Sequence, residues 1–373
     1  MVELVPITQK NLSDLALVGA SFGIPRSVGW LRRALFNPNA ASCDENARRG
    51  YLLHSDLDGY VGMLCYYPTC VYMRQSPRLA YSGCMMGVKP KYGEWLMDLF
   101  KAVISDEHGC FTYGNTSCSA RATKVCRLIR GDKIGPRLSE FSNYSFIGLS
   151  GRLFGWVHSV VKRGKPSSLF WICFKPFSWM EGLCRWLAWR DGEFVVRRGF
   201  TFSDAEFMPF WDSFLKGNDG LISSREPSTL RHYFDDSLKA DKAIMFAAKW
   251  RGVVRGYIVM RRYSDYMTLA TKYKIVDLCA VENDMTCMKA LIDRAKLYAL
   301  CHNGTRMEYI GGNPGIETLL HECLSHREDL GHATTTYFNA DAEIESAFAE
   351  GRGWFFGPYD GERCLGHGGY LDL

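Results

Sequence analysis

The stretch from Ser82 to Ile104, SGCMMGVKPKYGEWLMDLFKAVI, decides the fold because the chain carries it twice in outline. Its counterpart runs from Lys274 to Lys296 as KIVDLCAVENDMTCMKALIDRAK. In each, an apolar run with strand character passes through a short polar turn into a helical pattern. Leu96, Leu99, Phe100 and Val103 carry that spacing in the first, and Met288, Leu291, Ile292 and Ala295 in the second. Working outward, Gly62 in DGYVGMLCYY answers to Gly256 in VVRGYIVMRRY, 194 residues on. Val88 answers to Val281 at 193, and CFTYGN, ending at Asn115, to MEYIGGN, ending at Asn313, at 198. Three landmarks in one order at nearly one offset imply a duplicated unit, and the period is far too long for a solenoid.

Each copy opens with a short strand and a helix start, VELVPITQKNLSDL in one and EFVVRRGFTFSDAEF in the other. A meander follows, with a hairpin at Asp58-Gly59, then apolar strand, helix, strand and helix. This order predicts an α+β fold: two tandem domains, each a mixed, mostly antiparallel sheet flanked by helices. The division expected is 1–150, a connector over 151–192, and 193–373.

Composition narrows the function. The 373 residues are 47% hydrophobic and 23% charged, globular values that exclude a disordered or fibrous chain. A net charge of +5 does not mark a dedicated duplex-DNA binder. The opening MVELVPITQKNL has neither the basic nor the apolar stretch of a secretory leader and no run of 18 uncharged apolar residues occurs, so neither a leader nor a spanning helix is expected; the fourteen cysteines form no CxxC pair. Most lie in apolar runs, so free thiols and a cytoplasmic location are expected.

The element order and the segment GCMMGVKPKYGEWLMDLF resemble the GNAT (Gcn5-related N-acyltransferase) superfamily in tandem. Val88, Pro90 and Tyr92 match the family pattern V-x-P-x-Y-R-G-x-G; Gly93 then stands where the arginine belongs, and Glu94 and Trp95 follow. In the second copy the corresponding stretch, Ala280 to Met285, holds no glycine. The resemblance implies that an acyl-CoA lies between the fourth and fifth strands, with its diphosphate on the turn that follows. Met86, Val88, Lys91, Tyr92, Gly93, Glu94 and Trp95 are the donor-binding residues it implies. Two lysines and a glycine suit a diphosphate, whereas Glu282 and Asp284 in the second copy do not. The donor is therefore expected on the first copy, acetyl-CoA or another short acyl-CoA, and the acceptor on the second.

Direct attack of an amine on the thioester needs an oxyanion donor and an acid for the thiolate. The tyrosine that often supplies the acid is missing between Asn115 and Cys126, so Tyr113 and Asn115, at the end of the fifth strand, become the catalytic candidates. Arg225, His232 and Tyr233 lie in a basic, aromatic helical stretch expected to overhang the acceptor cleft. No metal is expected, since His321 and His326 are five apart, which turns one ring away from the other on a helix. Gly19-x-Ser21-x-Gly23 matches a nucleophile-elbow pattern, but too little chain precedes it for a buried parallel strand.

Between the copies, residues 151–200 hold nine basic side chains against three acidic ones and five of the ten tryptophans. Lys162, Arg163 and Lys165 are the densest part of that charge. Such interleaving suits a peripheral membrane contact or a nucleotide-bearing partner. The expected function is an acyl-CoA-dependent N-acyltransferase acting on a small-molecule amine, with resemblance to bacterial enzymes that acylate nucleotide-linked amino sugars. Nucleic acid is not the expected partner. Two alternatives remain: a Fem-type transferase drawing on aminoacyl-tRNA, and a catalytically silent double domain.

Overall fold

A computed structural model describes residues 1–36, 49–104, 111–116, 134–149, 151–153, 168–265, 270–311, 314–338 and 342–350. The first copy contributes β1 (Val2–Pro6), β2 (Gly50–Ser55), β3 (Gly59–Met73), β4 (Ser76–Val88), β5 (Phe111–Thr116) and β6 (Ile134–Phe146). The second contributes β7 (Val195–Gly199), β8 (Leu221–Ser223), β9 (Ala243–Trp250), β10 (Val253–Asp265), β11 (Ala270–Ala280), β12 (Gly304–Gly311) and β13 (His326–Phe338). Apart from β8, corresponding strands begin 192 to 194 residues apart, from Val2 and Val195 to Ile134 and His326. The α+β expectation holds, and the duplication extends to one strand more per copy than the sequence pattern showed.

That last strand changes the topology. All thirteen strands form one sheet in the order β1-β2-β3-β4-β5-β13-β6-β12-β11-β10-β9-β7, with β8 pairing on β3. So the final strand of the second copy lies against β5 of the first (Tyr337 opposite Tyr113), and β6 lies against β12 of the second (Tyr144 opposite Glu308). The two exchanged strands pair antiparallel with each other. Boundaries at 150 and 193 divide the chain by sequence, while the sheet trades a strand across them.

Helices cover both faces. The first copy has α1 (Leu12–Ser21), α2 (Val28–Leu35) and α3 (Leu96–Ile104); α4 (Ser168–Ala188) lies between the copies. The second has α5 (Asp204–Lys216), α6 (Pro227–Lys239), α7 (Met285–Cys301), α8 (Pro314–Cys323) and α9 (Ala342–Ala349). Strand residues alternate between faces as the pleat requires. Leu52, Met63 and Cys65 face one core, while Leu53, Leu64 and Tyr66 face another under α3. The first of these cores belongs to both copies: Leu15 and Leu31 share it with Trp211, Phe234, Met245 and Tyr257. Gly62 and Gly256 owe their place to close packing. A Cβ on Gly62 would meet Val88 at 3.0 Å, and one on Gly256 would meet the Cys279 carbonyl oxygen and the Cys287 sulfur at 2.8 Å.

A shared core and exchanged strands couple the copies. Calorimetry should show a single unfolding transition. Thr334→Pro, in a strand paired on both sides, should lower that transition as a whole, by about 3 kcal/mol or more, without splitting it.

Candidate active site

Strands β4 and β5 run parallel for only three pairs, Ala80 with Phe111, Tyr81 with Thr112 and Ser82 with Tyr113. Beyond Ser82, β4 continues to Val88 on the β3 side, while β5 from Gly114 onward keeps to β13. The β3 register skips Cys84, a bulge that sharpens the twist where the strands part. Past that point the β4 backbone has no strand opposite it among the described residues, so its outward amides and carbonyls await partners. The second copy repeats this wedge. There the last parallel pair is Ile275 with Tyr309, and the skipped residue is Val276.

The turns that close the two wedges differ. In the first copy Lys89 N–H donates to the Val61 carbonyl at 2.8 Å, Pro90 opens the helical turn, and Lys89 supplies no side-chain cap. Tyr92 faces inward, its hydroxyl donating to Asp58 Oδ2 at 2.6 Å and lying 3.0 Å from Ser55 Oγ. Lys91 Nζ reaches the same carboxylate at 2.9 Å. Hydrogen bonds from Tyr92 and Lys91 hold the Asp58 carboxyl below its ordinary range, and the Asp58 hydrogen bond in turn raises Lys91. Gly93 faces open space among the described residues, since a Cβ built there meets none of their atoms within 4 Å. Met86 and Glu94 are exposed, while Val88 and Trp95 are half-buried against the core under α3.

In the second copy Glu282 and Asn283 take left-handed conformations (φ 57° and 55°), and Asp284 Oδ1 accepts from the Cys287 amide at 3.0 Å, capping α7. Gly217, just past α5, lies against Glu282. This helix start already holds a carboxylate of its own. The Cys287 thiol is pushed up to about 12, by burial first and then by Asp284.

Arg225, His232 and Tyr233, expected at an acceptor cleft, are engaged by the protein itself. Arg225 is 1% exposed. Its Nε and Nη2 donate to both oxygens of Asp277 at 3.1–3.3 Å, and its Nη1 donates to the Ser223 carbonyl at 3.1 Å. The Tyr257 hydroxyl donates to Asp277 as well. His232 Nε2 lies 2.9 Å from the Arg33 carbonyl of α2, and burial holds its imidazole below the usual value. Tyr233 is buried in the shared core. These residues join α6 to β11 and α2, and so lie at the junction of the copies. Sequence reading missed two carboxylates: Asp58, taken only as a hairpin turn, and Asp277, whose place in the apolar run IVDLCAV signals a buried cation opposite it.

The Tyr113 and Asn115 backbones stand where β5 leaves β4; their side chains, like Lys162, Arg163 and Lys165, lie outside the described residues. Ser21 ends α1 with its hydroxyl on the Val18 carbonyl at 2.7 Å, so a helix precedes it where an elbow needs a strand. His321 is on α8 and His326 opens β13. Among the described residues no group of three metal-ligating side chains gathers, and no helix is long and apolar enough to cross a membrane. Seven described cysteines are free, five of them buried.

No family model and no curated protein matches the sequence. Among solved structures the chain is similar to Saccharomyces cerevisiae N-myristoyltransferase with bound myristoyl-CoA, at TM-score 0.56 and 11% identity over 91% of this chain and 83% of that one. The fold is the GNAT fold, in tandem. A probable N-acyltransferase from Enterococcus faecalis (TM-score 0.54, 12% identity, 90% and 72% covered) is also similar. So is a GCN5-related N-acetyltransferase from Anabaena variabilis (0.54, 9%, 90% and 72%).

Removing the Arg225 guanidinium would leave the Asp277 carboxylate buried and uncompensated. Arg225→Met should cost about 3–5 kcal/mol in denaturant unfolding, and adding Asp277→Leu should restore most of it.

Proposed function

We propose that the protein is an acyl-CoA-dependent N-acyltransferase whose donor lies in the wedge of the first copy. The observation that supports this is the contrast between the turns. One has an uncapped start, open space at Gly93 and two lysines; the other is capped by Asp284 and closed by left-handed residues beside Glu282.

Bound CoA would supply the thioester. The β4 backbone from Met85 to Val88, Met86 among it, would take the place of a strand edge for the amides of the pantetheine arm. Amides around Lys91 and Gly93 would face the diphosphate, flanked by Glu94 and Trp95. The Lys91–Asp58 pair is exposed and therefore weak, so the ammonium can turn to a phosphate without disturbing the fold. Tyr92 fixes the turn through Asp58 and Ser55, a positioning role. Tyr113 and Asn115, at the mouth of the wedge, are the proposed groups for the thioester carbonyl and the departing thiolate. Arg225, His232 and Tyr233 shape the junction on which the acceptor side is built. The acceptor proposed is an amine, with a nucleotide-linked amino sugar the first to test. Because the yeast structure holds myristoyl-CoA, long-chain donors belong in the panel beside acetyl-CoA.

A carboxylate placed at Gly93, about 4 Å from a phosphate, opposes it by roughly 1–4 kcal/mol. Gly93→Asp should thus weaken CoA binding by calorimetric titration at least about fivefold, with thermal unfolding nearly unchanged. Asp284→Lys should lose about 1 kcal/mol of stability with the cap and leave CoA affinity alone. The reverse pattern would move the donor to the second copy. CoA binding without thiol release across the amine panel would favour a silent double domain. Salt-sensitive binding of charged tRNA would favour the aminoacyl route.

A further inference from the structure

From Pro176 to Ala188, helix α4 buries very little of itself. It packs on α7 through a narrow stripe of small residues, with Ser178 1% exposed and Gly182 set so that a Cβ would meet Cys301 at 3.2 Å. At about 100° per residue, Trp186, Trp179, Leu183, Leu187 and Met180 fall on one arc of about 120° beside that stripe. All five are open to solvent, from 38% for Leu183 to 60% for Leu187. Contiguous apolar exposure of this kind marks a surface that meets something.

The charge around the arc indicates what that is. Arg152 and Arg185, on the opposite flank, share the single carboxylate of Glu181 at 3.1 and 2.9 Å. Arg294 borders the arc, and Arg190 follows the helix end in the cavity that Arg152, Glu181 and Arg185 also line; neither has a carboxylate partner among the described residues. Among the described residues Arg190 donates to the Leu187 and Trp189 carbonyls, at 3.1 and 2.9 Å. Arg294 stands over the Trp189 ring at 5.5 Å, its Nε buried without a hydrogen-bond partner among the described residues. It lines, with Trp179, Leu183, Trp186 and Tyr298, a cavity of about 240 Å³ between α4 and α7. Tryptophan and leucine flanked by uncompensated arginine suit the boundary between lipid headgroups and acyl chains. A second copy of the chain suits it less well, since a two-fold contact would set these cations against their own images.

We propose that α4 is an interfacial helix: its Trp179, Leu183, Trp186 and Leu187 face lies in the surface of an anionic lipid bilayer, with Arg190 and Arg294 on the headgroup phosphates. At 21 residues the helix is about 30 Å long, so it lies flat rather than spanning. This surface is separate from the wedge of the first copy, and the proposal stands independently of the acyltransferase reading.

The test uses the full chain with phosphatidylcholine vesicles, with and without about 30% phosphatidylserine, at about 0.1 M salt. The protein should sediment with the anionic vesicles, and brominated lipid should quench its tryptophan fluorescence. Trp179→Ser combined with Trp186→Ser and Leu187→Ser should keep the melting temperature and lose vesicle binding at least about tenfold. Arg190→Gln and Arg294→Gln should each weaken binding to the anionic vesicles about fivefold and leave binding to neutral ones unchanged. Wild-type protein that stays in the supernatant would overturn the proposal, as would a triple variant that binds like wild type. A wild-type dimer that the triple variant dissociates, with no vesicle binding by either, would assign the face to a second copy and overturn it too.

Discussion

Strands β6 and β13 come from the ends of the two copies and meet in the middle of the sheet, each also paired with a strand of the other copy. Everything else hangs on that pair. It converts two half-sheets into one, and it gives β5 a neighbour on the side away from β4. Because β5 is held by β13, β4 can leave it after Tyr113 without the sheet coming apart. The wedge is stable only because strand pairing continues on its far side.

Duplication gave the chain two such wedges, and packing has since set them apart. At the second, Asp284 satisfies the helix start and Glu282 lies under Gly217, while Asp277 behind it is neutralised by Arg225. That ion pair is buried at 2% and 4% side-chain exposure, so its geometry is what makes it tolerable. It also ties β11 to the segment after β8, the strand that leans on β3. The second wedge has become a joint between the copies, and the first remains open at Gly93.

Much of this was legible in the sequence. Gly62 and Gly256 stand out because only glycine fits where the next strand end lies against its neighbour, so duplication preserved them and the offset could be read. The turn at Lys89–Gly93 was legible from its composition. Strand exchange was not. Ile134–Phe146 and His326–Phe338 are rich in polar residues, and Ser142, Asn143 and Ser145 are buried in mid-sheet, so neither segment shows the alternation by which strands are recognised. Nor does local pattern reveal which strand neighbours which. Tyr92 read as a ligand contact because its partner Asp58 is 34 residues upstream. Arg225 read as a free cation because Asp277 is 52 residues downstream.

The exchange also sets an order of events on the ribosome. When β5 emerges, the strand that will cover its edge lies roughly 200 residues away in the message, about 10–40 s at ordinary elongation rates. Throughout that interval β5 and β6 present bare backbone, and each is a template for pairing with a neighbouring nascent chain. The first copy thus cannot finish folding during its own synthesis. Translation speed and holding chaperones, more than the stability of the finished molecule, will govern how much of this protein a cell recovers in soluble form.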